Sequence, residues 1–173
     1  HSGLKPFLAF AEPDGTSSSR TEKLRQACEQ AGIAAEIPDD IQAALWEKFL
    51  FVVAFGGVGA ITSAPIGVLR SLPETRQMLR QAMQEIADLA AARGIALPAG
   101  IVDTTLAFMD ALPEGGTTSL QRDLAEGRPS ELEAWNGAVV RLGREAGVVT
   151  PLHAFISHSQ LPRELRARGC LNF

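Results

Sequence analysis

The sequence predicts a mainly α protein: a helical bundle preceded by one strand–helix–strand unit. Three observations predict it. Beyond Pro38 the apolar residues recur at helical spacing. Prolines, glycines and capping residues cut that stretch into helix-length pieces. Before Pro38 the apolar runs are only strand-length. The expected organisation is a βαβ remnant over residues 1–38 and an all-helical body over residues 39–173.

With 173 residues the chain has room for one sizeable core, or one domain plus part of another. A hydrophobic share of 46%, a charged share of 21% and a net charge of −4 describe a soluble globular protein. They give no electrostatic reason to bind nucleic acid or an anionic membrane. Cys28 and Cys170 lie far apart, and His1, His153 and His158 show no ligand spacing, so no disulfide framework and no metal are expected. No signal-peptide pattern is visible, which makes the cytoplasm the expected location. The first residue is His1 rather than methionine, and it reads as a mid-chain position.

Lys5 to Ala11 suits a buried strand, followed by a turn at Pro13-Asp14-Gly15. Ser17 to Ser19 offer caps for a helix from about Arg20 to Gln30, with Leu24, Ala27, Cys28 and Ala31 apolar and Gly32 as the stop. Ile33 to Ile37 reads as a second strand. One such unit cannot cover both faces of its sheet, so the remaining strands are expected elsewhere or from a partner.

Asp39 or Asp40 can cap the helix that follows Pro38. In it, Trp46, Phe49, Leu50 and Val53 form one apolar row, and Leu45, Lys48, Val52 and Phe55 the next. No charge occurs from Phe49 to Leu69, and a helix apolar on every side is expected to be buried on every side. The run is long enough for a bilayer. However, Gly56, Gly57, Gly59, Ser63, Pro65 and Gly67 dilute it, and it lacks interfacial flanks. The reading is a core helix, a glycine-rich bend, then a short helix from Pro65.

Ser71-Leu72-Pro73-Glu74 reads as a capping box. The helix it opens carries Met78, Leu79, Ala82, Met83, Ile86, Leu89 and Ala90 on one face, and Gly94 stops it. Ile101, Thr105, Phe108, Met109 and Leu112 mark the next helix, bounded by Pro98 and Pro113. A polar loop, Glu114 to Thr118, leads into a short helical segment from Ser119. Ser130-Glu131-Leu132-Glu133 is a second capping box, with Leu132, Trp135, Ala138, Val139 and Leu142 inward and an end near Gly147. Thr150-Pro151 starts the last helix, with Leu152, Phe155 and Ile156 apolar, which Pro162 is expected to break or end.

Three residues could carry chemistry: Lys48, Ser119 and Glu131. A lysine can give a proton to a carbonyl oxygen that is becoming an alkoxide, and partial burial favours the transfer. A carboxylate such as Glu131 could hold it in place. Each residue also has a plainer reading. Lys48 can lie at the buried edge with its amine in water. Glu131 suits the first turn of a helix, where the dipole favours an acid, and Ser119 is a good N-cap. Asp123 and Asn136, beside apolar rows, read as hydrogen-bonding groups. Gly56-Gly57-Val58-Gly59 follows a helix and lacks the GxGxxG spacing, so it is not a phosphate loop.

Four segments in order resemble the C-terminal part of the ketopantoate reductase (2-dehydropantoate 2-reductase) family. They are AEPDGTSSSR with Ala11 in place of a glycine, LWEKF at Leu45 to Phe49, TTSLQRDLAEGRPSELEAWNG at Thr117 to Gly137, and GVVTP at Gly147 to Pro151. The resemblance implies a helical domain of the 6-phosphogluconate dehydrogenase-like type behind a Rossmann domain that binds NADPH. It further implies reduction of a 2-keto acid, with Lys48 as general acid, Glu131 orienting it and contacting substrate, and Ser119 binding substrate. Homodimerisation is a further expectation. Where the family usually has asparagines one and two turns after the lysine, this chain has Val52 and Gly56, which suits a bulkier or more apolar acid than ketopantoate. The family's glycine-rich loop is absent, so this chain by itself is expected to bind NADP poorly or not at all. The competing expectation is a non-catalytic helical binding or dimerisation module on the same scaffold.

Overall fold

The structure, a computed structural model, describes residues 7–173; His1 and the first two residues of the Lys5 to Ala11 strand lie outside them. Contacts divide the chain into a unit ending at Glu47 and a second from Lys48 to Phe173.

In the first unit, β1 (Phe7–Ala9) and β2 (Ala34–Glu36) pair in parallel, Phe7 opposite Ala34 and Ala9 opposite Glu36, with α1 (Ser19–Gln30) as the crossover. The Ser18 side chain caps α1 by accepting from the Thr21 N–H at 3.1 Å. Gly32, at φ +73°, turns the chain out of it. Two strands with one helix leave apolar surface uncovered, and Phe7, Leu8, Leu24 and Ile33 are all exposed. Asp40 starts the next helix, its Oδ1 accepting from the N–H groups of Gln42 and Ala43 at 2.9 and 3.0 Å.

That helix, α2 (Ile41–Thr62), departs from the reading in two ways. It passes through Gly56, Gly57 and Gly59 without a bend. A Cβ at these positions would stand 2.8 Å from the Trp135 ring, 2.5 Å from Asn136 Nδ2 and 2.7 Å from Gln121 Oε1 respectively. The glycines are therefore points of close approach, where neighbouring side chains press on the helix. It is also not buried all round. Val53 to Ala60 are buried, while Leu45 and Lys48 are exposed. Among the described residues α2 is the one helix long and apolar enough to cross a membrane, and half of that window is buried within the chain.

α3 (Ile66–Ser71) begins after Pro65, as read, and α4 (Pro73–Ala92) has proline in its first turn. The first capping box does not form. The Ser71 hydroxyl donates to the Val68 carbonyl at 3.0 Å, finishing α3, and Leu72 is the N-cap with no side-chain bond. α4 buries Leu79, Ala82, Met83, Ile86, Leu89 and Ala90 completely. α5 (Ile101–Asp110) is tied to α3 through Arg70, which donates to the carbonyls of Met109 and Leu112 at 2.9 and 2.7 Å.

α6 (Ser119–Ala125) is capped by Thr118, not Ser119: the Thr118 hydroxyl accepts from the Gln121 N–H at 3.2 Å. A π-helical turn, Glu133–Gly137, opens directly into α7 (Ala138–Ala146), which Gly147 ends at φ +70°. α8 (Pro151–Ala167) runs through Pro162 instead of ending there. Tertiary bonds hold its far side: Arg163 donates to the Leu124 carbonyl at 3.0 Å, and Glu164 is buried against Ser130. These contacts offset the one helical bond that proline cannot make.

Candidate functional site

The site is best built outward from Gly56, where three segments of the second unit meet. Position 56 is flanked by the Trp135 ring on the π-helical turn and by Leu120 Cδ2 on α6, at 2.8 and 3.3 Å from where a Cβ would stand. Ser119 immediately precedes Leu120. Glu131 lies one turn before Trp135, its carbonyl accepting from the Trp135 N–H at 2.9 Å. Lys48 and Val52 precede Gly56 on one i, i+4, i+8 row of α2, and eight residues of helix span about 12 Å.

Lys48, Ser119 and Glu131 are all exposed. None of the three side chains forms a hydrogen bond or ion pair among the described residues. Among the described residues Lys48 is thus exposed rather than partly buried, as its reading as an edge residue with its amine in water has it. The helix-first residue Ser119 is relieved of capping by Thr118. Lys48, Ser119 and Glu131 thus have polar groups that the fold does not consume, while Asp123 is taken up by Arg128 at 2.7 Å.

Behind this surface is a buried polar layer that the sequence does not announce. His153 is fully buried. Its Nε2–H donates to the Ala82 carbonyl at 3.0 Å, so Nδ1 is the acceptor for the Asn136 amide, also at 3.0 Å. Burial holds the imidazole below its ordinary value, against the opposing pull of the Ala82 carbonyl and the Glu85 carboxylate. Glu85 itself caps α8, accepting from the N–H groups of Leu152 and His153 at 2.9 and 3.1 Å. Asn136 Oδ1 and Gln121 Oε1 are buried with no hydrogen-bond partner among the described residues. No cluster of three or more metal-ligating side chains occurs among the described residues.

Sequence reasoning took Trp135 as ordinary core and gave Glu85 and Glu164 no role. Only a helical-period acid on an otherwise apolar face, Glu85 between Ala82 and Leu89, could have signalled such a cap.

Comparison with known proteins points one way. Residues 40–159 match the family described as ketopantoate reductase PanE/ApbA C terminal. A 2-dehydropantoate 2-reductase of Mesorhizobium japonicum is 32% identical over 144 residues, covering 83% of this chain and 44% of that protein. The chain spans about half the length of the curated relatives it matches. A crystal structure of 2-dehydropantoate 2-reductase from Methylococcus capsulatus superposes with a TM-score of 0.80 at 31% identity, over 92% of this chain and 55% of that one. A ternary structure of D-mandelate dehydrogenase with NADH and anilino(oxo)acetate has a TM-score of 0.76 at 22% identity, over 87% and 50% of the two chains, a likeness of fold.

Proposed function

The chain belongs to the ketopantoate reductase family, as its C-terminal part, and on that premise we propose that it is the substrate-binding half of an NADPH-dependent 2-keto acid reductase. The observation that carries this reading is the grouping around Gly56: Lys48 on the row leading to it, with Ser119 and Glu131 on the two segments packed against it, all exposed and with no side-chain partner among the described residues.

Reduction of a 2-keto acid adds a hydride to the carbonyl carbon and a proton to its oxygen. The residues of this chain serve the second requirement. Lys48 donates the proton and stabilises the developing alkoxide. Glu131 orients the ammonium and contacts the substrate, and the Ser119 hydroxyl binds it. The cofactor's own site is not made by these residues. The β1–α1 segment has Gly15 as its single glycine and no strand-to-helix phosphate loop. A nucleotide-binding half carried with this chain is proposed to supply that site and the second wall that covers Lys48.

The test is to express the chain with such a half and follow NADPH oxidation with a panel of 2-keto acids. Lys48→Ala should lower kcat by roughly 10²–10⁴, and Lys48→Arg should restore little, because guanidinium does not give up its proton. Activity within a few-fold of wild type in Lys48→Ala would remove Lys48 from the reaction.

A further inference from the structure

The Trp135 indole occupies the space into which a side chain at position 56 would project. A Cβ on Gly56 would stand 2.8 Å from Trp135 Cζ3, 3.2 Å from Cε3 and 3.3 Å from Leu120 Cδ2. Such separations exclude any side chain at 56 while the indole keeps its place. The Cε3–Cζ3 edge therefore rests on α2, and the opposite edge points away from it. Trp135 is only partly buried and packs at the margin of the cluster formed by Ala60, Leu120, Leu124 and Leu132. It thus presents aromatic surface beside the row that carries Lys48, and the residue between them on that row is the half-buried Val52.

We propose, resting on the reading above, that Trp135 is a specificity residue: it selects 2-keto acids whose 2-substituent is an aryl or branched apolar group. Lys48, Ser119 and Glu131 supply the polar contacts for the keto and carboxylate end. The far end of the substrate meets Val52 and the indole. A hydroxyl on that end finds no polar side chain at 52 or 56 to replace the water it loses, and burying it unpaired is costly. An aromatic ring gains there, through area removed from water and the preferred stacked or edge-on geometry.

The experiment compares kcat/KM for phenylglyoxylate, 3-methyl-2-oxobutanoate, ketopantoate and pyruvate in the enzyme reconstituted with its nucleotide-binding half. The aryl and branched acids should lead. Trp135→Ala should lower kcat/KM for phenylglyoxylate about ten-fold or more, through KM, and leave pyruvate within about three-fold. Trp135→Phe should retain most of the preference. Should Trp135→Ala fail to fold, Trp135→Leu fills most of the volume without a ring, and it should lose phenylglyoxylate selectivity while keeping the branched acid. A wild-type preference for ketopantoate overturns the substrate class and leaves Lys48 as the acid. Equal losses on all four acids in the Trp135 variants overturn the specificity role in favour of a packing one. A folded wild-type enzyme that reduces none of the four overturns the parent reading, and this proposal with it.

Discussion

The Glu164 carboxylate on α8 receives the hydrogen bonds that Ser130 offers: its backbone N–H at 3.1 Å to each oxygen, and its hydroxyl at 2.5 Å. In a capping box that backbone N–H would go to the acid three residues on, Glu133. Here Glu133 is exposed, 74% for its side chain, whereas the Glu164 side chain is 3% exposed and also holds Arg168 at 2.6 Å. The long-range acid therefore anchors the backbone from which Glu131 projects. Glu164→Ala should cost about 1–3 kcal/mol, because it leaves the buried Ser130 N–H and hydroxyl without an acceptor, while Arg168, 48% exposed, returns to water. Glu133→Ala should stay within about 0.5 kcal/mol, as exposed substitutions do. Urea unfolding of both variants checks this, and equal losses would restore the local box.

The glycines of α2 give a second prediction. Gly57→Ala puts a methyl 2.5 Å from Asn136 Nδ2 and 3.1 Å from Ile156 Cδ1. Asn136 cannot swing aside without leaving His153. Alanine favours the helix by about 1 kcal/mol over glycine, yet over-packing costs about 1–3 kcal/mol. Net destabilisation is expected, with a lower midpoint in thermal melts. A stabilised variant would show that Asn136 is free to move.

The same residues mark how far the sequence could be read. Periodicity was sufficient for the α4 face, where Leu79, Met83, Ile86 and Leu89 are fully buried. Local chemistry sufficed for Asp40, Ser18 and the stops at Gly32, Gly94 and Gly147, all at positive φ in the case of the glycines. What failed depended on partners distant in sequence. Gly56 to Gly59 read as a bend because Trp135, Asn136 and Gln121 are invisible from within α2. Pro162 read as a break because the bonds of Arg163 and Glu164 are equally remote. Of the site, Lys48, Ser119 and Glu131 were legible as residue types, but Trp135 gains its place only from the missing side chain at 56.

His153 predicts a pH dependence. Its native value lies below the ordinary 6.5 because burial disfavours the charged ring, while Asn136, Ala82 and Glu85 face it. The unfolded chain takes up a proton below about 6.5 and the native state does not, so stability rises with pH across that range. It is complete above the unfolded value and declines as pH falls through about 6.5 toward the lower native value, by at most about 1.4 kcal/mol per pH unit. His153→Gln should be less stable at neutral pH and show a flatter slope below about 6.5. An unchanged slope would mean that His153 does not carry it.

The three candidate site residues make the last prediction, because exposure separates function from scaffold. Lys48, Ser119 and Glu131 bond to nothing through their side chains among the described residues. Their removal leaves no buried group unsatisfied and opens no cavity. Glu131 alone precedes a helical turn, where an acid is worth about 0.3–1 kcal/mol. A triple Lys48→Ala, Ser119→Ala, Glu131→Ala variant should therefore unfold within about 1 kcal/mol of wild type, even as its reductase activity collapses. Separable effects of this kind are expected where polar groups are kept for a substrate rather than for the fold. A loss of several kcal/mol would instead assign the three to the architecture, and the reading of Gly56 as the centre of a site would lose its support.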